Sequence, residues 1–579
     1  MAATLTAHPL LPAWRTRLQR FAQRLSAPFH GPLCGSGVVL GSLCFIASLT
    51  PSLVPRGYVA QGVLAGVCFA AGYLLGVAAV ALWRRLPLPQ IPARWLLPSR
   101  RVLRWLCVLA CLAAVWAVRG WQDSVRAVMN LPPMEEAHSL RLMLIAAVTF
   151  LALLLAGRAF AWVARRAGAA AQRIMPPPVA RLLGLGVAAI LFVTLANGVL
   201  LRGALHMADA SFRQADAWVP ADVQAPQGAG TGGPSSLVAW QQLGRAGREF
   251  VAAGPDAAAV SALTGKPAQR PLRVYVGLPS ADDARERVRL ALRELQRQGG
   301  FARANLLIIT PTGTGWVDPA AIDSAEYLLQ GDVASVAVQY SYLSSPLSLL
   351  VEPEYGAETA RLLFEEVYGY WRTLPPASRP RLYAHGLSLG AMNSERSVNL
   401  FDMVDHPING ALWSGPPFAS RQWRLATDAR NAGSPEWLPV FRDSRTVRFI
   451  NQHGGAAPQA AEWGRMRMIY LQYASDPITF FTPQDTWREP DWMKEARAPD
   501  VSPAVRWYPL ISMLQLAVDM LLADRTPMGY GHVFAPSDYV TAWRSLFDPP
   551  GWNDVEIQRL QIRLDAIRRA QLAQGRAAP

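Results

Sequence analysis

Cysteine is scarce in this 579-residue chain and confined to one end: Cys34, Cys44, Cys68, Cys107 and Cys111 are all of it. Everything after residue 111 must therefore hold together without a disulfide, and a segment of roughly 300 residues or more can bury enough surface to do so. Acidic residues are nearly missing from the first 202 positions, where Asp123, Glu135 and Glu136 stand against 20 arginines and no lysine. That region carries +17 and the whole chain +15, so the remainder is −2. The basicity belongs to one region, and a nucleic-acid role for the rest loses its electrostatic support. No Asp, Glu, Lys or His lies in the middle of that region's apolar runs, which argues against ion or proton transport. A small-residue cleavage pattern is also lacking, so the first run is expected to persist as an anchor.

What the region does have is length and apolarity. Five runs are long enough for membrane-spanning helices, which need about 20 residues: 34–54, 58–83, 103–118, 142–163 and 181–201. The third is the shortest, and its loss would reverse the side on which the rest of the chain lies. Arg158 falls near the end of the fourth, in reach of the interface. Arg15, Arg17, Arg20 and Arg24 precede the first run, Arg84, Arg85, Arg94, Arg100 and Arg101 follow the second, and Arg165, Arg166 and Arg173 follow the fourth. By the positive-inside rule these loops are cytoplasmic and the C-terminal part is extracytoplasmic. Gly37 and Gly41, Gly62 and Gly66, and Gly72 and Gly76 form G-x-x-x-G pairs suited to close helix packing. The expected organisation is a helical membrane domain over 1–202, a linker and entry segment over 203–270 whose Gly- and Pro-rich part (203–235) reads as a tether, a main domain over 271–550, and an amphipathic helix and tail over 551–579.

In the main domain, Gly386-Leu387-Ser388-Leu389-Gly390 has the G-x-S-x-G form of a nucleophile elbow, where a serine stands on a sharp strand-to-helix turn between glycines. Arg381–Ala384 reads as the entering strand and Ala391–Val404 as the helix that leaves. A nucleophilic serine needs an imidazole to take its proton and a carboxylate to orient that imidazole, in the chain order Ser, Asp, His for this kind of elbow. Met466–Tyr473 reads as a core strand with Asp476 just past its end, and His532 sits in the glycine-flanked Gly529–Val533 loop. His406 and His453 lie before the acid and break the order. Asp476 also fits an Asx turn before Pro477, which leaves Asp443 as the fallback acid. Catalytic candidates are thus Ser388, Asp476 and His532. For the oxyanion, Leu389 offers one amide, and the Gly313-Thr314-Gly315 loop after the strand Asn305–Ile309 offers the other unless it is only a tight turn before the helix opened by Asp318-Pro319. That loop lacks the third glycine and the lysine of nucleotide-binding loops, and the chemistry calls for no cofactor and no metal.

Strands and helices alternate around these points: strands at 272–276, 332–342 and 408–413, a helix capped by Ser280 ahead of Val288, Leu292 and Leu295, and another over 358–372. The alternation implies a mostly parallel sheet. The fold class expected is an α-helical transmembrane bundle of about five spans followed by an α/β-hydrolase domain. Residues 480–508, rich in Trp, Pro and Asp, occupy the place of a lid, with Trp487, Trp492 and Trp507 as pocket or core residues. Val555–Leu572 presents Ile557, Leu560, Leu564 and Ile567 on one face.

Several strings make the chain resemble bacterial membrane-anchored α/β-hydrolases of the alpha/beta-hydrolase family 9 type: Arg273–Leu278, Thr312–Trp316, Gln339–Leu343, Gly415–Phe418, Gly433–Pro439 and Tyr470–Gln472. The resemblance covers nearly the whole chain and implies Ser388 as nucleophile, with Asp476 and His532 in shared blocks. Two positions depart from it, Leu387 where an acid is usual and Tyr530 where a second histidine is. The resulting expectation is a membrane-anchored serine hydrolase, esterase- or lipase-like, that works through an acyl-serine on a lipid or acyl-ester substrate at the bacterial inner membrane, without nucleic acid. An acyltransferase with the same triad and a non-catalytic scaffold are the alternatives, and oligomeric state is open.

Overall fold

The computed structural model describes residues 32–86, 93–201, 223–343, 353–398, 403–455 and 461–574, with residues 214, 216–218, 345 and 348. The arginines at 15, 17, 20 and 24, residues 399–402 and much of the expected tether lie outside them; the helix expected over Ala391–Val404 ends at Ser397, where Val398 is extended. The chain divides into two compact units, one drawn from Met1–Thr50, Arg56–Trp121 and Met134–His206, the other from Pro51–Pro55, Gln122–Pro133 and Met207–Pro579.

Apolar helices make up the first unit: α1 (Gly35–Leu49), α2 (Tyr58–Trp83), α3 (Ala93–Val128), α4 (Ser139–Ala171) and α5 (Pro177–Val193). Four stretches are long and apolar enough to cross a membrane: Tyr58–Trp83, Arg101–Val128, Ser139–Ala171 and Pro177–Gly198, of 26, 28, 33 and 22 residues. The short third run of the sequence is thus part of a much longer helix. The first run behaves differently. Its helix has 15 residues, a rise of roughly 22 Å against about 30 Å of hydrocarbon. The Ser48 and Thr50 hydroxyls donate back to Phe45 O and Ala47 O, both at 2.7 Å, and Pro51 then ends the helix.

All three G-x-x-x-G pairs lie at helix crossings. A methyl on Gly76 would sit 2.6 Å from Gly37 Cα and N, one on Gly72 2.5 Å from Leu40 O, and one on Gly66 2.6 Å from Ala146 O. Large residues face outward instead, with Leu74, Leu144, Leu182 and Ile190 all exposed. Small inside and large outside is the pattern of helices solvated by lipid.

The second unit is built on an eight-stranded sheet: β1 (Leu272–Val276), β2 (Asn305–Thr310), β3 (Val333–Val338), β4 (Arg381–Leu387), β5 (Gly410–Ser414), β6 (Val447–Asn451), β7 (Gly454–Gly455) and β8 (Arg467–Leu471). Their order is β1-β3-β2-β4-β5-β8-β6-β7. Every pairing is parallel except β6 with β7. β6 and β7 escape the sequence reading because Arg448 interrupts a five-residue run. In the fold its guanidinium lies 3.7 Å over the Trp463 ring while Phe449 and Ile450 are buried. The helix expected to be capped by Ser280 starts later: Asp283 precedes Ala284–Arg297, and Ser280 ends a single 3₁₀ turn.

The tether reading fails from residue 223 onward. The Thr231 hydroxyl is buried and donates to Arg273 O at 3.1 Å, Arg297 donates to Ala229 O at 2.6 Å, and a methyl on Gly233 would meet Gly228 O. Glycine and proline here build a tight structured turn. The core of this unit also takes in Leu53, Val54, Val125 and Met129 from the two short N-terminal segments. At the other end, α6 (Asp554–Ala573) buries Ile557, Leu560 and Leu564 against the domain, while Ile567 is left exposed.

Candidate active site

Parallel pairing aligns the carboxyl ends of β4, β5 and β8: Leu387 pairs with Ser414, and Ser414 with Leu471. Loops leaving these ends converge on one edge of the sheet, where open α/β folds place their chemistry. Ser388 leaves β4 with φ 57° and ψ −127°, a conformation that side-chain-bearing residues avoid and that surrounding structure must hold in place. Its amide donates to Ser414 O at 3.0 Å, and the helix α7 (Leu389–Ser397) begins at the next residue. The elbow glycines are required by contact. A Cβ on Gly386 would lie 2.3 Å from Gly390 O, and one on Gly390 2.3 Å from Thr310 O.

Asp476 is fully buried and uses both oxygens. Oδ1 accepts the amide of Ile478 at 2.9 Å, capping the short helix Pro477–Phe480. Oδ2 accepts Thr479 Oγ1 at 3.3 Å and faces His532 Nδ1 at 2.7 Å. The two sequence readings of this residue, turn former and partner of the histidine, are thus satisfied by different oxygens. A short bridge between Tyr530 and Val533 shapes the histidine loop, and the His532 amide donates to Ala523 O at 3.0 Å. Among the described residues, His532 Nε2 is buried without a hydrogen-bond partner. The ring lies over Gly415, whose hypothetical Cβ would be 2.4 Å from His532 Cε1 and 3.0 Å from Asp476 Oδ2. With Nδ1 donating to a carboxylate, Nε2 is the basic nitrogen. It sits beside the strand end that holds Ser388. A direct Ser388 Oγ to Nε2 hydrogen bond is not formed, as is common before substrate binds.

The Leu389 amide opens a helix and so has no intrahelical acceptor. On the opposite loop, Gly313 N donates to Ser345 Oγ at 3.1 Å and Gly315 N to Thr312 O at 3.0 Å, whereas Thr314 N has no acceptor among the described residues. Of the three loop residues expected from sequence, Thr314 is the one whose amide has no partner among the described residues.

Other candidates lie elsewhere. Asp443 is exposed and accepts the Arg445 amide, while His406 and His453 are both exposed. His385, three residues before Ser388, is buried with Nδ1 2.8 Å from Leu412 O, and burial pushes its pKa down to about 4. It is a neutral wall residue. Trp492 is buried in the core and Trp487 exposed. A cavity of about 290 Å³ behind the histidine loop is lined by Gln452, Asp500, Tyr530 and Asp538 among others, and by neither Ser388 nor His532. Sequence reading misses Gly415, the floor beneath the imidazole, and Ser345, which occupies the Gly313 amide; the first lies in a recognisable Gly-Pro-Pro turn, the second has no local signal.

Residues 272–560 match the alpha/beta-hydrolase family, and residues 49–255 match that family's N-terminus. The chain belongs to the alpha/beta-hydrolase family. No curated protein and no solved structure matches it. The family assignment covers both the helical region and the sheet domain, so membership extends to the two-part organisation as well as to the hydrolase fold.

Proposed function

We propose that this family member is a membrane-anchored serine hydrolase acting on carboxylic esters, with Ser388 as nucleophile, His532 as general base and Asp476 as its orienting acid. The observation that carries the reading is the buried Asp476–His532 pair at 2.7 Å with Nε2 unpartnered, set beside a serine in strained elbow geometry. Ser388 Oγ attacks the ester carbonyl as its proton passes to Nε2, and Asp476 stabilises the imidazolium that forms. The oxyanion is received by the amides of Leu389 and Thr314. His532 then gives its proton to the departing alkoxide, leaving an acyl-Ser388. Water, deprotonated by the same nitrogen, releases the acid and restores the enzyme.

Topology supports an extracytoplasmic site. Residues 51–55, 122–133 and 207–579 fold as one unit, and two long apolar helices separate each successive pair of these segments. Two crossings return the chain to the same side, whether or not α1 spans. Arg84, Arg85 and Arg173 lie in the loops between, and Arg165 and Arg166 in the last two turns of α4 before one of them; the positive-inside rule assigns these ends to the cytoplasm.

Fluorophosphonate labelling of the purified full-length protein tests the chemistry. Wild type is expected to label, with Ser388→Ala abolishing labelling and ester turnover and His532→Ala slowing both by ~10⁴-fold or more. Labelling that persists in Ser388→Ala discards the nucleophile. Product analysis with added alcohols separates transfer to water from transfer to a hydroxyl acceptor.

A further inference from the structure

The segment between Asp476 and His532 supplies a carboxylate that the proton transfers do not touch. Asp500 is 4% exposed, and its Oδ2 accepts three hydrogen bonds: from the Ser475 amide at 2.9 Å, the Ser475 hydroxyl at 2.8 Å and the Gln452 side-chain amide at 3.1 Å. Ser475 immediately precedes Asp476. Having donated to Asp500, its Oγ accepts the amide of Gly531 at 3.0 Å, and Gly531 immediately precedes His532. One carboxylate oxygen and one hydroxyl thus join the two backbones that present the acid and the imidazole. Gln452 Nε2 adds a second tie, to Gly529 O at 3.0 Å.

The tie is directional. Gly531 has φ 55°, and its hypothetical Cβ would be 2.5 Å from Thr526 Oγ1, so the loop packs closely where its amide turns toward Ser475. Hydrogen bonds to a buried carboxylate are among the stronger ones. Removing the acceptor leaves the Ser475 and Gln452 donors unpaired in a low-dielectric interior.

We propose that Asp500 is a positioning residue for His532, holding through Ser475 and Gln452 the loop that aims the imidazole at Ser388. This rests on the serine-hydrolase reading above. Asp500 takes no proton from substrate or serine; it acts only on where the imidazole points. On this view the segment 480–508 has a structural duty at the reaction centre through Asp500.

The test uses the full-length protein in detergent, with a short-chain nitrophenyl ester and a fluorophosphonate. Asp500→Ala, Asp500→Asn and Ser475→Ala are compared with wild type, and Asp500→Ala is repeated on a His532→Ala background. Asp500→Ala and Ser475→Ala are expected to lower kcat and the labelling rate by ~10- to 100-fold with KM within ~2-fold, the scale of a small misplacement of a catalytic group. Asp500→Asn, which keeps an oxygen acceptor, recovers most of the rate. On the His532→Ala background, Asp500→Ala costs less than ~2-fold, because the group it aims is gone. Wild-type rates in both Asp500→Ala and Ser475→Ala overturn the proposal, as does an equal loss with and without His532. If Asp500→Ala does not fold, Ser475→Ala decides alone, and wild-type kcat in that variant is fatal. Failure of the underlying reading is distinct: wild type that does not label, or labelling indifferent to Ser388→Ala.

Discussion

The bundle and the sheet domain use glycine for the same physical purpose and to opposite ends. In the bundle, Gly37, Gly66, Gly72 and Gly76 let helix backbones touch while Leu74, Leu144 and Ile190 face outward. In the sheet domain, Gly386 and Gly390 let backbones touch at the turn that carries Ser388, and Gly415 leaves room for the His532 ring and the Asp476 carboxylate. Polarity inverts as well. The bundle buries no carboxylate among its described residues, whereas the sheet domain fully buries Glu294, Glu326, Asp476 and Asp519. An apolar helical unit gains by close packing of small groups, and a sheet domain with a large core can enclose charge if it pairs it.

The sharpest way to break this contrast is to strand a buried charge. Arg273, on β1, makes a bidentate pair with Glu326 at 2.7 and 2.6 Å and reaches Asp323 at 2.6 Å. Glu326→Leu leaves a buried guanidinium with the partly exposed Asp323 as its one carboxylate among the described residues and Phe250 O as its other acceptor, a loss expected at ~3–5 kcal/mol. For a unit of this size the melting midpoint should drop by roughly 4–6 °C. A shift below about 2 °C would show that the interior of the sheet domain tolerates charge far better than the comparison holds.

A second test pits glycine against glycine. Gly415→Ala places a methyl against the His532 ring and requires alanine at φ 48°, so labelling of Ser388 should slow by ~100-fold, the cost of a misaimed catalytic group. Gly76→Ala pushes a methyl against Gly37 and should weaken the bundle while leaving the labelling rate within ~2-fold of wild type. Equal effects of the two substitutions on labelling would erase the distinction between packing glycines and site glycines.

The same contrast explains what could be read from the sequence. Long apolar runs and fully buried parallel strands such as Leu306–Ile309 announce themselves by composition, and the elbow does so because strain restricts it to a short glycine-flanked string. The candidates Asp476 and His532 could be picked out because this kind of elbow calls for an acid and then a histidine downstream of its serine. Features set by contacts far apart in the chain were not legible. Asp500 meets Ser475 across 25 residues and Ser345 meets Gly313 across 32, with no local pattern at either. The segment around Thr231 misleads for a related reason: glycine and proline mark both loose tethers and tight turns, and distant bonds such as those to Arg273 O and from Arg297 distinguish them. The short α1 misleads because hydropathy continues through Leu53 and Val54, which join the sheet domain's core.

The smallest expected effect concerns a histidine that the sheet domain buries without a counter-charge. His385 is on β4 and faces the helix α8 (Pro536–Phe547), with Nδ1 donating to Leu412 O and the rings of Tyr539 and Trp543 beside it. Burial lowers its pKa from 6.5 to about 4. Between those values the unfolded chain binds a proton that the folded chain refuses, so stability falls as pH drops through 6.5 and keeps falling until the folded pKa near 4 is reached. Going from pH 7 to 5.5 should cost ~1 kcal/mol through this residue, since one pH unit below the unfolded pKa is worth about 1.4 kcal/mol. His385→Gln, whose amide can still donate to Leu412 O, removes that dependence. The wild-type and variant midpoints should therefore converge as pH falls from 7 toward 5.5, by roughly 1 °C, and midpoints that keep a constant separation would mean the buried ring is already protonated or solvated.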